Sequence, residues 1–310
     1  MTRTIKTVGI LGGGLIGMSW ASLFLARGLN VIVVDPRAQA QDDLRTFVTA
    51  AWPHLTALGL TTSETIRHAV FSTGIDALKD AQFIQENGPD RITTKRQLIR
   101  QLEGVIAPQV IIASSTSSLK ASDIQADAAH PDRILVAHPM NPPHLVPMVE
   151  LVAGDKTSET YVEHAEAFYA QMHRVTIRVK KEVAGHLANR LTSALYREAV
   201  HIAAEGIADV ADIDKAITYG PGMRWAFLGP HLTYHLGGGA GGYRHYLDHL
   251  GPTQEARWRD LGSSELSERV KDLLVAGVDE ELASQDETTL AQRRDEALVA
   301  VYKLKQKYGL

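Results

Sequence analysis

The chain has 310 residues, long enough for two domains, and its 45% hydrophobic and 22% charged content is ordinary for a soluble globular protein. A formal net charge of −4 with no basic run gives nucleic acid no electrostatic footing. There is no cysteine, which excludes disulfides, thiolate catalysis and Cys-based metal sites and agrees with a cytoplasmic location. The apolar runs are too short and interrupted to span a bilayer, and the opening residues do not read as a signal peptide.

Residues 8–11 read as a short apolar strand, followed by Gly12-Gly13-Gly14-Leu15-Ile16-Gly17 and an apolar-faced helix over 18–27. A second buried strand, 31–34, stops at Asp35. This is G-x-G-x-x-G inside a β-α-β unit, with an acid at the tip of the second strand. Gly12 permits the tight turn, Gly14 lets a pyrophosphate approach the backbone, and Gly17 lets helix and strand pack closely. The helix N-terminus, opening at Leu15 and Ile16, offers free N–H groups to phosphates. Asp35 lies eighteen residues after Gly17, where a carboxylate can accept both hydroxyls of an adenosine ribose. It would repel a 2′-phosphate, so NAD is favoured over NADP; Arg37 softens that preference.

Residues 39–58 read as a helix broken or kinked at Trp52-Pro53, 62–68 as a short capped helix and 70–72 as a strand. A strand over 81–85 ends at Glu86-Asn87-Gly88-Pro89, and Asp90 is placed to cap a helix over 93–105. Strands follow at 110–113, ending in a run of Ser and Thr, at 133–137 and at 149–152; then come a helix over 159–172 and a strand over 175–179. Beyond Gly185 the strand signal vanishes, and 187–205, 210–218, 265–275 and 287–307 show helical spacing. The expected fold is α/β: an N-terminal doubly wound Rossmann-type sheet over 1–184, followed by an all-helical domain over 185–310. The glycine run at 237–242 follows no strand and reads as a loop or helix junction.

In open α/β sheets ligands sit beyond the carboxyl ends of the strands. Three polar clusters fall there: Glu86 with Asn87, the stretch from Ser114 to Ser118, and His138 with Asn141. His138, beside two prolines, is expected to be rigidly held and partly exposed. An imidazole titrates near pH 6.5 when unperturbed and can accept an alcohol proton while hydride leaves the adjacent carbon, a help worth about 10²–10⁴ in rate. Glu150, twelve residues on, can accept the other ring N–H and fix the tautomer.

The glycine turn, Ser117-Ser118, His138-Pro139-Met140-Asn141-Pro142, Glu150 and Gly185-His186-Leu187-Ala188-Asn189-Arg190-Leu191 resemble, in order and spacing, the 3-hydroxyacyl-CoA dehydrogenase superfamily, over essentially the whole chain. The resemblance implies catalytic roles for Ser117, His138, Glu150 and Asn189. It implies NAD contacts at Gly12, Gly14, Leu15, Ile16, Gly17, Asp35, Glu86, Asn87, Lys95, Ser115 and Asn141, with the nicotinamide near Lys95 and Asn141. It also implies a homodimer built by the helical domain. Among branches acting on small free acids, the carnitine 3-dehydrogenases are resembled most, through Ala51-Trp52-Pro53-His54-Leu55, Gly222-Met223-Arg224-Trp225-Ala226-Phe227-Leu228-Gly229-Pro230 and Leu232-Thr233-Tyr234-His235-Leu236. The gulonate 3-dehydrogenases, which include lambda-crystallin, share part of this skeleton. An acyl-CoA substrate, or a catalytically silent NAD-binding structural protein, is the further alternative.

The residues of that segment suit a short zwitterionic or acidic substrate. Arg224 offers a planar fork for a carboxylate. Trp225, Phe227 and Tyr234, with Tyr243 and Tyr246 nearby, supply faces for a quaternary ammonium, or else simply helix core. His231/His235 and His245/His249 are spaced four apart, but hydride transfer to NAD needs no metal, and none is expected.

Overall fold

The computed structural model describes residues 4–283 and 285–310, and divides into two units, Met1–Arg190 and Leu191–Leu310. In the first, β1 (Thr7–Leu11), α1 (Leu15–Ala26), β2 (Asn30–Val34), α2 (Ala40–Ala57) and β3 (Val70–Ser72) are followed by β4 (Phe83–Glu86), α3 (Ile92–Glu103), β5 (Ile111–Ser114) and α4 (Ala121–Gln125). Then come β6 (Ile134–Pro139), β7 (Met148–Ala153), α5 (Glu159–Gln171) and β8 (Val175–Val179). The strands form one sheet in the order β3-β2-β1-β4-β5-β6-β7-β8. Neighbours are parallel throughout, except that β7 runs antiparallel to β6. The chain order reverses between β1 and β4, and ligands of doubly wound sheets sit at such a switch point.

Strand alternation sorts side chains onto two helical layers. On β4, Ile84 joins a core that includes Ile99 and Leu102 of α3 and Ile124 of α4. Phe83 stacks instead on Phe168 of α5 at 4.2 Å between centroids. Trp20 and Phe24 of α1 complete that aromatic layer against Tyr169 and Phe168. Gln85 points the same way as Phe83 and accepts the buried Tyr169 hydroxyl, whose pKa burial pushes well up. Glu86 points the other way, toward α3. The pleat therefore hands alternate polar residues at the end of β4 to different neighbours.

Pro53 does not end α2, which runs on to Ala57. Two local expectations fail for identifiable reasons. Residues 61–68 form no helix; the Ser63 hydroxyl accepts the Thr65 N–H, a local bond that competes with helical pairing. Asp90 caps nothing: α3 starts behind Arg91 with no side-chain cap, and the Asp90 carboxylate turns to Ser117.

α6 (Ala188–Ala204) opens in the last residues of the first unit. The second unit continues with α7 (Val210–Thr218), α8 (Pro221–Trp225), α9 (Pro230–Gly237), α10 (Gly242–Asp260), α11 (Glu268–Leu282) and α12 (Glu287–Tyr308). Ser267 and Asp286 cap α11 and α12 by accepting N–H bonds from Val270 and Thr289. The glycine run is a helix junction: α9 ends in it, Gly239–Gly241 makes one 3₁₀ turn, and α10 begins at Gly242. No helix among the described residues is long and apolar enough to cross a membrane.

Candidate active site

The turn after β1 is built for close approach. Gly12 has φ +98°, and a Cβ there would meet the Asn87 backbone at 2.8 Å. A Cβ on Gly17 would lie 1.9 Å from the Gly12 carbonyl oxygen. A Cβ on Gly14 would meet nothing within 4 Å, so open space lies above the N-terminus of α1, where Leu15 and Ile16 begin the helix. At the tip of β2, Asp35 is buried and accepts the Gly13 N–H at 2.8 Å and the Arg37 guanidinium. Burial pulls its carboxyl up, but the Arg37 and Gly13 bonds prevail and hold it below the usual range.

Beside this turn, at the carboxyl ends of β4, β5 and β6, lies a cavity of about 340 Å³. Ile16, Asn87, Lys95, Ser117, His138 and Asn141 line it, with Asn189. A larger cavity of about 580 Å³ opens at the amino ends of the strands, around Gln82, Val110 and His164, away from these groups.

His138 is buried rather than partly exposed, and it sits directly opposite Glu150 in the antiparallel β6–β7 ladder. That register brings His138 Nδ1 to 2.7 Å from Glu150 Oε2. The other carboxylate oxygen accepts the Leu187 and Ala188 N–H groups, each at 2.8 Å, where α6 begins. Burial raises the Glu150 carboxyl, yet the His138 bond and the two backbone donors outweigh it and bring it below 4.5. An ionised carboxylate can only accept, so Nδ1 carries the hydrogen, and in the neutral ring Nε2 keeps a free lone pair.

Ser117 and Asn189 come together on one wall: Asn189 Nδ2 donates to the Ser117 carbonyl at 3.3 Å. The Ser117 hydroxyl and N–H both donate to Asp90 Oδ2, at 3.1 and 3.2 Å. Burial raises the Asp90 carboxyl, but Lys95 and hydrogen bonds from Thr116 and Ser117 bring it down. Glu86 is wholly buried and its carboxylate takes Lys95, the Ser114 hydroxyl and the Gly88 N–H. Lys95 spends its ammonium on Glu86, on the Gly88 carbonyl at 2.8 Å and on Asp90 at 3.4 Å. Glu86 and Lys95 therefore shape the floor from within. Ser115 accepts from Trp20 and Gln85 and donates to the Asn87 side chain at 2.8 Å, which pins Asn87 at the rim.

Sequence reasoning assigned no role to Asp90 in the site or to His186. His186 is buried, with φ +49°, and its ring centroid lies 5.3 Å from that of His138. Nε2 reaches the Thr116 carbonyl at 3.1 Å, while Nδ1 finds no partner. Burial pushes its pKa down. A polar residue directly after a glycine and before the helix was the available signal. His144 is structural: it is buried and bonded to the Ser19 hydroxyl of α1, which ties down the segment after Asn141.

The four substrate candidates lie in the second unit. Arg224 and Trp225 are exposed on α8. Phe227 has the Lys305 ammonium 5.8 Å from its ring centre, so a cation already faces it. Tyr234 stacks on the buried Tyr246 at 4.5 Å, and Tyr243 stacks on Tyr246 in turn. Those contacting faces leave no room for an ammonium between them. Tyr243 also takes up the first histidine pair: its hydroxyl lies 2.9 Å from His231 Nδ1, and its N–H donates to His235. His245 and His249 stack on each other. Among the described residues, no three acidic or histidine side chains are grouped to hold a metal ion.

Two family models account for most of the chain: the 3-hydroxyacyl-CoA dehydrogenase NAD-binding domain over residues 7–183, and the C-terminal domain over 185–271. The chain belongs to the 3-hydroxyacyl-CoA dehydrogenase family. It is thus an NAD-dependent dehydrogenase with a Rossmann-type sheet and a helical C-terminal domain. The L-carnitine dehydrogenase of Streptomyces coelicolor is 44% identical over 308 residues, covering 99% of this chain and 97% of that protein. The L-carnitine dehydrogenase of Bacillus cereus is 39% identical, covering 99% and 94%. The crystal structure of 5-formyl-3-hydroxy-2-methylpyridine 4-carboxylic acid 5-dehydrogenase, an NAD⁺-dependent dismutase, superposes with a TM-score of 0.85 at 26% identity, covering 98% and 99%. The glycine turn suits the family's cofactor: the space above Gly14 can admit a pyrophosphate, and the α1 N–H groups can meet it.

Proposed function

We propose that this enzyme oxidises the 3-hydroxyl of L-carnitine to give 3-dehydrocarnitine. The observation that carries the chemistry is the His138–Glu150 pair on the wall of a cavity beside the glycine turn. The near-full-length likeness to L-carnitine dehydrogenases supports the choice of substrate.

Bound NAD⁺ supplies the hydride acceptor. His138 takes the hydroxyl proton at Nε2 as the carbinol hydrogen departs. Glu150 holds Nδ1–H and offsets the imidazolium charge, as carboxylates do in comparable pairs. Asn189, and the Ser117 hydroxyl once it turns from Asp90, hold the reacting oxygen. Leu15, Ile16, Gly12, Gly14, Gly17 and Asp35 seat the dinucleotide. Asn87, Ser115 and Asn141, which line the cavity, would hold its nicotinamide end, and the Glu86–Lys95 pair would keep that wall in shape. Arg224 is assigned to the substrate carboxylate, and Trp225 and the exposed part of Tyr234 to the trimethylammonium group, from the chemistry of their side chains; Phe227 already faces the Lys305 ammonium.

Purified protein should form NADH with L-carnitine and much less with L-gulonate or 3-hydroxybutyryl-CoA. Turnover of either of those without turnover of carnitine would refute the substrate. We assign the working form as a cytoplasmic homodimer, supported by exposed apolar residues on the second unit such as Leu191, Leu236 and Trp258. Light scattering that returns a monomer mass at working concentration would refute the dimer.

A further inference from the structure

Residues 186–189, where α6 opens, hold two separate parts of the site. Leu187 and Ala188 give their N–H groups to Glu150 Oε1, each at 2.8 Å. His186 and Asn189, on either side of them, reach the segment that carries Ser117. His186 Nε2 lies 3.1 Å from the Thr116 carbonyl oxygen, and Asn189 Nδ2 donates to the Ser117 carbonyl at 3.3 Å. A carbonyl only accepts, so His186 Nε2 carries the ring hydrogen. The Thr116 carbonyl and the Ser117 N–H belong to one planar peptide unit. His186 grips that unit at its oxygen, while Asp90 Oδ2 grips it at its nitrogen, 3.2 Å away.

This grip matters because of what Ser117 has to do. Its hydroxyl donates to Asp90 at 3.1 Å and must turn away to reach the reacting oxygen. The peptide must stay in place while the side chain turns. The fold keeps His186 in this position against two penalties. Its φ of +49° is one that L side chains rarely adopt, and its Nδ1 is buried without a donor. Strain that persists beside an active site points to function. The ring is only 1% exposed, so it acts through its neighbours rather than on substrate.

We infer that His186 is a positioning residue: its Nε2–H fixes the Thr116–Ser117 peptide, so that the Ser117 hydroxyl turns to the reacting oxygen without leaving its place in the cavity. The inference rests on the proposed role of Ser117. Without this donor the peptide is held at its nitrogen alone and can pivot. A misplacement of about 1 Å in a reacting group can cost about a hundredfold in rate.

The test compares His186→Phe, which keeps a ring without a donor, His186→Asn, which suits a left-handed backbone but stops short of Thr116, and His186→Gln, whose amide can take the place of Nε2–H. Each is made in the full-length parent and in Ser117→Ala. The readouts are kcat and KM for carnitine, or for whichever hydroxy acid the parent turns over, with NADH Kd and Tm. Phe and Asn should lower kcat about tenfold or more, with KM and NADH Kd within about threefold of the parent. Gln should restore most of the lost kcat. In Ser117→Ala, itself slow, the Phe and Asn changes should cost less than about twofold further, because they act through the missing hydroxyl. Equal losses in both backgrounds, Gln as slow as Phe, or parent-like kcat in Phe and Asn would overturn the inference and leave the role of Ser117 standing. Loss of NADH binding by both Phe and Asn would overturn it too, since the ring would then be holding the fold. A Ser117→Ala variant with the parent kcat would remove Ser117 from the reaction, and the inference would fall with it.

Discussion

Replacing Glu150 with Gln tests the proposed proton acceptor at its most sensitive point. The carboxylate accepts three hydrogen bonds: one from His138 and two from the backbone at the start of α6. A Gln has one accepting oxygen and one donating amide. The two backbone donors are fixed and share one carboxylate oxygen, so the Gln oxygen should face them and its NH₂ should face His138. Nδ1 must then accept, which moves the ring hydrogen to Nε2, the position that has to be bare. The variant loses both the tautomer and the charge that offsets imidazolium. Loss of a general base costs about 10²–10⁴ in rate, or about 3–5 kcal/mol in the barrier. The fold should survive, because the backbone donors stay satisfied. The assay is kcat for carnitine oxidation together with NADH affinity by fluorescence. The expected result is a kcat at least a hundredfold lower with NADH Kd unchanged within about threefold. A variant that keeps more than about a tenth of the parent kcat would refute the tautomer argument.

Gly14→Ala should melt like the parent yet bind NADH about tenfold or more weakly, because its Cβ meets only the space meant for cofactor; equal binding would move the pyrophosphate elsewhere. Gly17→Ala, with a Cβ 1.9 Å from a carbonyl oxygen, should lose about 1–3 kcal/mol of stability as well as cofactor affinity, read from the Tm. His186 is held neutral, its folded pKa below 6.5, so its contribution is complete above pH 6.5 and is lost as acid protonates the unfolded chain preferentially. Glu150, lowered from 4.5, adds a further loss below that value as pH falls toward its folded pKa. His186→Phe should therefore flatten the fall of Tm as the pH drops below about 6.5, and an unchanged slope would contradict the burial argument. Arg224→Ala should raise the carnitine KM about tenfold or more with a smaller change in kcat; an unchanged KM would place the carboxylate elsewhere.

The glycine turn, Asp35 and the strand ends were legible because each rests on local pattern: alternation, a turn residue, an acid at a tip. His138 and Glu150 could be named from sequence, but their contact depends on β7 running antiparallel to β6, a pairing that no local signal encodes. Asp90 looked like a helix cap because the sequence shows a short acid before a helical run. It does not show that Ser117 offers two donors closer at hand. Glu86 and Lys95 were named for the cofactor, yet what joins them is the pleat of β4 facing α3. The aromatic residues near Trp225 were visible as a group, but the stacking of Tyr234, Tyr246 and Tyr243 on one another is a tertiary fact.

Because β7 is paired on both sides, to β6 and to β8, Glu150 sits in the interior of the sheet rather than on a loop. The group that aims the imidazole is thus held by the least deformable part of the molecule, and its amide should be among the slowest to exchange with solvent deuterium. Insertions or swaps in the irregular stretch between these two strands could reshape what the enzyme accepts and still leave its proton acceptor correctly aimed. One scaffold could in this way be refitted for different hydroxy acids without rebuilding its acid–base machinery.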